Sequence, residues 1–123
     1  MIYGIGTDLI EVERVKKAYE RESFRNKIYT EQEQQMIAKN AQRAAGNFAV
    51  KEAVVKAFGT GFGKISAIDI EVLREVSGKP YVVLYGPAKE KAKAEKIQHI
   101  HVSISNTKEY ATAYVVMEVE VLK

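Results

Sequence analysis

The stretch Asn47-Phe-Ala-Val-Lys-Glu-Ala-Val-Val-Lys-Ala-Phe-Gly-Thr-Gly61 constrains this chain more than any other. Ala49, Ala53 and Ala57 recur at helical spacing, joined by Phe48, Val55 and Phe58, with no proline between them. The spacing predicts the second half of a helix. Gly59, just past the last periodic residue, suits a left-handed C-cap. Glu52 and Lys56 are four positions apart and so share one helix face. For an arbitrary helix a surface ion pair is the default for such a couple. Two features favour a functional role here. Gly59, Gly61 and Gly63 leave backbone N–H groups free to approach an anion. The N-terminal segment Gly4-Ile-Gly-Thr-Asp-Leu-Ile-Glu11 also presents a carboxylate, Asp8, at the end of a strand.

The rest of the chain reads as one α+β domain. Residues 2–9 look like a buried strand in which Gly4 and Gly6 mark close backbone approach. Residues 11–25 carry Val12, Val15, Ala18 and Tyr19 at helical spacing, with Arg14, Lys17, Arg21 and Arg25 on the polar face. Those arginines are a solvated face or, since Arg pairs with carboxylates through a preformed fork, a docking surface for an acidic helix. Thr30-Glu-Gln-Glu33 has capping-box spacing and opens the next helix. A break near Asn40 precedes the central helix, which resumes at Ala41.

Beyond the glycine loop, Ile68, Ile70 and Val72 alternate as in a half-buried strand over residues 66–74. Residues 75–80 form a turn and residues 81–85 return as a strand. Gly86-Pro87 starts an exposed helix over residues 88–96, whose interleaved Lys and Glu read as a solvated surface. Residues 99–105 and 111–121 are two further strands joined by a tight turn at residues 106–109. No internal repeat or linker interrupts this mixture of strands and helices.

Composition narrows the function. The chain has 123 residues, 46% hydrophobic and 28% charged, as in an ordinary globular domain, which argues against disorder. It contains no cysteine, so a disulfide framework and thiolate chemistry are excluded, and a reducing cytoplasmic setting is expected. Met1-Ile-Tyr-Gly-Ile-Gly-Thr-Asp8 lacks a basic leader and meets a charge at once, so neither a signal peptide nor a membrane span is expected. The net charge of +3 permits an acidic partner such as nucleic acid, a phosphate-rich cofactor or an acidic protein, and selects none of them.

Asp8 at a strand end and Glu52 on a helix form a hard-oxygen pair. Mg²⁺ suits such a pair, since it takes one or two carboxylates and completes its octahedron with water and substrate phosphates. With Lys56 nearby, and with no zinc spacing and no Ser/His/Asp order, phosphoryl-group chemistry is the natural candidate. His101 lies in an alternating strand, where a hydrogen-bonded structural histidine is the default and a phosphate donor the alternative.

Four segments in order also carry a resemblance: residues 5–14, residues 48–61, Ser77-Gly-Lys-Pro80, and His101-Val-Ser-Ile-Ser105 followed by Tyr110-Ala111. Across essentially its whole length the chain resembles the small 4′-phosphopantetheinyl transferases of the holo-[acyl-carrier-protein] synthase type. The resemblance implies that family's fold, a small antiparallel or mixed sheet packed with a long central helix. It implies transfer of phosphopantetheine from coenzyme A to a serine of apo-acyl carrier protein, in support of fatty acid biosynthesis. Asp8 and Glu52 match the family's Mg²⁺ ligands, with Mn²⁺ left open as a substitute. Glu52 and Lys56 match its catalytic pair, and the base is Lys56, Glu52 or a water on the metal. Lys56, Gly59, Thr60, Gly61, Lys79, Pro80 and Ser105 match regions that hold coenzyme A. Arg14, Arg21 and Arg25 would meet the carrier protein. A homotrimer with sites shared between subunits is implied as well.

Two positions depart from the family pattern. Asn47 stands where similar sequences carry a basic residue, and Arg43, one helical turn earlier, is expected to compensate in coenzyme A binding. Asn106 often corresponds to histidine in relatives. The rival readings are a nucleic-acid-binding α+β module, which would lack its usual base-stacking aromatic signature, and a non-catalytic docking module for acyl carrier protein.

Overall fold

The computed structural model describes residues 1–121. Everything is arranged on helix α4 (Ala41–Phe58). Asn40 caps its N-terminus, the side chain accepting from the Arg43 N–H, and Gly59 ends it at φ 78° in the left-handed region. Ala44, Ala45, Ala49, Val50, Ala53 and Val54 are fully buried. A helix apolar on nearly every side belongs in the middle of a domain.

Strand β1 (Ile2–Glu11) crosses this helix closely. A Cβ at Gly4 would stand 2.1 Å from the Ala57 carbonyl oxygen, and one at Gly6 1.8 Å from that of Ala53. The two glycines are therefore what lets β1 lie on α4, as their place in the sequence predicts. Strands β5 (Tyr110–Val119) and β4 (Ile97–Asn106) complete an antiparallel sheet of order β1-β5-β4. Ala111, Ala113, Val115 and Met117 of β5 face the helix and are buried. Strands β2 (Ile70–Arg74) and β3 (Pro80–Leu84) form a separate hairpin, and α5 (Gly86–Ala94) starts with proline in its first turn.

Four expectations need correction. Strand β1 is not buried: Ile5 and Leu9 are 62% and 67% exposed, because the sheet covers α4 with one face and leaves the other open. The helix expected over residues 11–25 is two helices, α1 (Val12–Tyr19) and α2 (Glu22–Ile28), broken at Glu20 and Arg21. The Arg25 guanidinium holds the corner, donating to the Tyr19 and Glu20 carbonyls at 2.7 and 3.1 Å, so the basic residues do not form one stripe. The strand expected from residue 66 begins at Ile70. Before it comes a single 3₁₀ turn (Ala67–Asp69) that leaves Ile68 exposed. Residues Ile70 to Leu73 are buried on both faces, between α4 and helix α3 (Glu31–Ile37).

An ion pair without solvent exposure ties these layers together. Lys51 Nζ donates to Glu33 Oε1 at 2.8 Å and to the carbonyls of Ala67 and Ile70. Glu33 also closes the capping box with Thr30, as its spacing predicts, and accepts from Asn47 Nδ2 at 3.0 Å. Burial raises the Glu33 pKa and lowers that of Lys51, so each opposes the other's desolvation.

Candidate active site

Strand β1 and helix α4 bring Asp8, Glu52 and Lys56 together. Thr112 Oγ1 donates to the Asp8 carbonyl at 2.7 Å and fixes that part of β1 against β5. Lys56 Nζ donates to the Thr7 carbonyl at 3.0 Å and to Asp8 Oδ1 at 3.1 Å. Glu52 has no hydrogen-bond partner among the described residues, and Lys56 pairs with Asp8 rather than with its helix neighbour Glu52. Burial raises the Glu52 pKa and the negative charge of Asp8 raises it further, while Lys56 opposes both. Asp8 and Glu52 thus share a cleft of about 460 Å³ with Glu11, Arg14, Phe48 and Tyr110.

This arrangement fits a hard divalent cation. Glu52 is unpartnered, Asp8 repels it, and a single exposed lysine offsets their charge. No group of three or more His, Cys, Asp or Glu gathers among the described residues, which leaves two carboxylates, the number Mg²⁺ needs when phosphates and water fill the other positions. A second cleft, about 620 Å³ and largely apolar, adjoins the first through Phe48 and Glu52 and is lined by Ile28, Phe62, Ile65 and Ile68.

The glycine loop does not form the expected anion nest. The N–H groups of Gly59, Thr60 and Gly61 turn back onto carbonyls of α4, Lys56 O for the first and Val55 O for the others, and that of Gly63 donates to Ile65 O. The last carbonyls of a helix need donors, and the loop supplies them. Lys56, with Arg14 in the same cleft, supplies the positive charge at this end.

Of the other expected ligand residues, Arg43 and Pro80 come together at the opposite end of α4. Arg43, Pro80, Gly78 and Asn106 line a pocket of about 320 Å³ together with Arg74 and Ile104. Lys79 is exposed in the adjoining turn. Ser105 is exposed on β4 opposite Thr112, on the sheet face away from α4, and joins neither cluster. Asn47 is 1% exposed, with its amide on Glu33 and the Val72 carbonyl, so it faces the core and not a ligand. From Arg43 to Lys56 is thirteen residues, or about 20 Å of helix. Sequence reasoning missed Arg74, Phe48 as a cleft wall and the buried Lys51–Glu33 pair. The last had a signal, since Lys51 sits among the apolar positions of α4.

The class that this fold and site define is that of the 4′-phosphopantetheinyl transferase superfamily, whose sequence model matches residues 4–115. A holo-[acyl-carrier-protein] synthase of Lachnoclostridium phytofermentans is 60% identical over 119 residues, 97% of this chain and 98% of that one. The synthase of Clostridium tetani is 47% identical over 98% of each chain. The crystal structure of a Bacillus anthracis holo-(acyl-carrier-protein) synthase in complex with CoA (3′,5′-ADP) superposes with a TM-score of 0.82 at 38% identity, covering 98% of this chain and 99% of that one. The Helicobacter pylori synthase in complex with coenzyme A gives 0.84 at 30% identity, covering 93% and 99%. The chain belongs to the holo-[acyl-carrier-protein] synthase family of enzymes, and its α+β fold is the one the sequence predicts.

Proposed function

We propose that the protein transfers the 4′-phosphopantetheine arm of coenzyme A to a serine of an apo-acyl carrier protein, with Mg²⁺, or Mn²⁺ in its place, held by Asp8 and Glu52. The observation that carries this reading is the unpartnered, charge-strained Glu52 facing Asp8 in an open cleft beside Lys56. The serine oxygen bonds to the pantetheine-bearing phosphorus and the bond between the two phosphates breaks. Adenosine 3′,5′-bisphosphate leaves with the electron pair, and the serine proton passes to a base. The cation, when bound, neutralises charge on the diphosphate and the leaving group. Lys56, 52% exposed at its side chain and tethered to Asp8, adds positive charge on the same side. Glu52, a water on the cation, or Lys56 once it has lost its own proton takes the serine proton. Gly59, Thr60 and Gly61 give the donor an open, side-chain-poor wall.

The carrier protein approaches from α1, where Arg14 lines the carboxylate cleft and Arg21 is exposed at the next corner. The neighbouring apolar cleft suits the hydrophobic residues of a docking helix. In coenzyme A one ribose separates the 3′-phosphate from the diphosphate. The two cationic clusters of one chain, an α4 length apart, are too distant to grip both on the same molecule. This favours sites shared between copies, in a homotrimer built on the open sheet face of Ile5, Leu9 and Tyr114. The reading carries a cytoplasmic setting and a role in fatty acid biosynthesis. No helix among the described residues is long and apolar enough to cross a membrane.

Mass spectrometry of apo-acyl carrier protein incubated with the protein, coenzyme A and Mg²⁺ tests the proposal. A gain of one phosphopantetheine, lost with EDTA and with Glu52→Ala, is expected. No gain across several carrier proteins would leave a docking module in its place.

A further inference from the structure

Lys51 has no part in the chemistry above, although it directly precedes Glu52 on α4. The two side chains leave the helix in different directions. Lys51 is fully buried, whereas Glu52 is half-buried and lines both clefts. A lysine ammonium carries three N–H donors. Here three acceptors meet it: Glu33 Oε1 at 2.8 Å, the Ala67 carbonyl at 3.0 Å and the Ile70 carbonyl. Glu71, the other buried carboxylate, is taken by the hydroxyls of Thr30 and Tyr85 at 2.6 and 2.9 Å.

A buried ion pair is a weak source of stability, since well-packed apolar residues of similar volume often do as well. What apolar residues cannot do is hold carbonyls. Ala67 opens the 3₁₀ turn and Ile70 follows it, so the ammonium grips the turn at both ends. Ile65, Ala67 and Ile68 wall the apolar cleft, together with Lys27 and Ile28 of α2 and Phe48 and Glu52 of α4. The wall is thus fastened to α4 one residue away from the carboxylate that serves the reaction. We propose that Lys51 is a positioning residue for the acceptor: through the Ala67 and Ile70 carbonyls it holds this wall in register with Glu52. The proposal rests on the reading in the previous subsection, in which the apolar cleft receives a docking helix of the carrier protein. The clamp depends on donors rather than on charge, because a neutral amine still offers two N–H groups to the two carbonyls.

Two variants separate the clamp from the ion pair. Glu33→Gln removes the pair but keeps the Lys51 donors, and glutamine still serves the capping box with Thr30. Lys51→Met/Glu33→Gln removes the donors as well and leaves neither charge of the pair buried. The double variant is expected to raise KM for the carrier protein by about 10- to 100-fold, the cost of a small misplacement, with KM for coenzyme A unchanged. Glu33→Gln keeps both values native. A merely structural loss lowers the folded fraction, and with it kcat, without moving either KM. Equal carrier KM in the two variants overturns the proposal.

Hydrogen exchange reads the clamp without turnover. The Asp69 and Ile70 amides, which donate to the Ser66 and Ala67 carbonyls, exchange as slowly as the middle of α4 in native protein and Glu33→Gln, and far faster in the double variant. Fast exchange in the native protein overturns the proposal. Should the double variant not fold, Ile68→Ala decides, since Ile68 is exposed on the wall and its truncation spares the core. It raises KM for the carrier protein; an unchanged KM removes the wall from docking and the proposal with it. Absence of transfer by the native protein would sink the proposed reaction and leave hydrogen exchange to decide whether Lys51 holds the wall.

Discussion

Lys56 Nζ lies 3.1 Å from Asp8 Oδ1, a residue 48 positions away, and leaves its helix neighbour Glu52 without a partner. The pair crosses from α4 to β1, so the lysine marks where the strand carboxylate meets the helix carboxylate. Glu52 then carries the unbalanced charge of the site.

The first prediction follows from that imbalance. In metal-free protein Glu52 titrates above an ordinary glutamate, owing to burial first and Asp8 second. A raised folded-state pKa contributes stability that is full below the unfolded value and lost as pH rises through the folded one. At neutral pH the ionised carboxylate therefore costs stability, and added Mg²⁺ raises Tm with its concentration. NMR titration of the Glu52 carboxyl in Asp8→Asn finds the pKa lowered but still above the ordinary value. A normal Glu52 in the native protein would refute this.

Gly6→Ala tests the contact that positions Asp8. The added Cβ meets the Ala53 backbone oxygen at 1.8 Å and the Ala57 nitrogen at 2.9 Å, atoms that cannot swing away. We expect a loss of about 3 kcal/mol or more in urea unfolding, at or above the usual range for overpacking. Gly63→Ala, with open space around it, serves as the control.

The arginines of the first two helices divide by role. Arg14→Ala is expected to raise KM for the carrier protein, most at low salt, with Tm unchanged. Arg25→Ala removes the donor to the Tyr19 and Glu20 carbonyls and a cation stacked 5.7 Å from the Tyr19 ring, so it lowers Tm. Equal Tm for both variants would contradict the assignment.

Lys51→Met leaves the Glu33 carboxylate buried with its charge uncompensated. Breaking a buried pair in this way costs about 3–5 kcal/mol, readable as a fall in the urea midpoint. A neutral outcome would show that Asn47 and Thr30 alone satisfy Glu33.

The open sheet face offers a test of assembly. Tyr114→Arg places a charge in the middle of the exposed apolar surface, where Tyr114 is 54% exposed in the single chain. Analytical ultracentrifugation is expected to find a trimer in the native protein and a monomer in the variant. A native monomer would rule out the shared site.

Much of this molecule is written in local sequence. The stop of α4 at Gly59, the Thr30–Glu33 capping box, the turn before Pro80 and the start of α5 at Gly86-Pro87 depend on neighbours within a few residues, and each is found where the sequence predicts. The glycines of β1 were legible for the same reason, since only a close contact needs two residues without a Cβ. What the sequence could not decide were relationships between distant segments. Helical periodicity runs through Glu20 and Arg21 and does not reveal that Arg25 turns back to hold a corner. A glycine-rich loop looks ready for an anion until the helix it follows claims its N–H groups. Arg74 looks like any charged residue before a turn, and becomes notable only because folding buries it beside Arg43 and away from every free carboxylate. Capping and turn preferences are set by short-range sterics and hydrogen bonds. Pairing of charges and competition for donors depend on which surfaces meet, and tertiary structure alone fixes that.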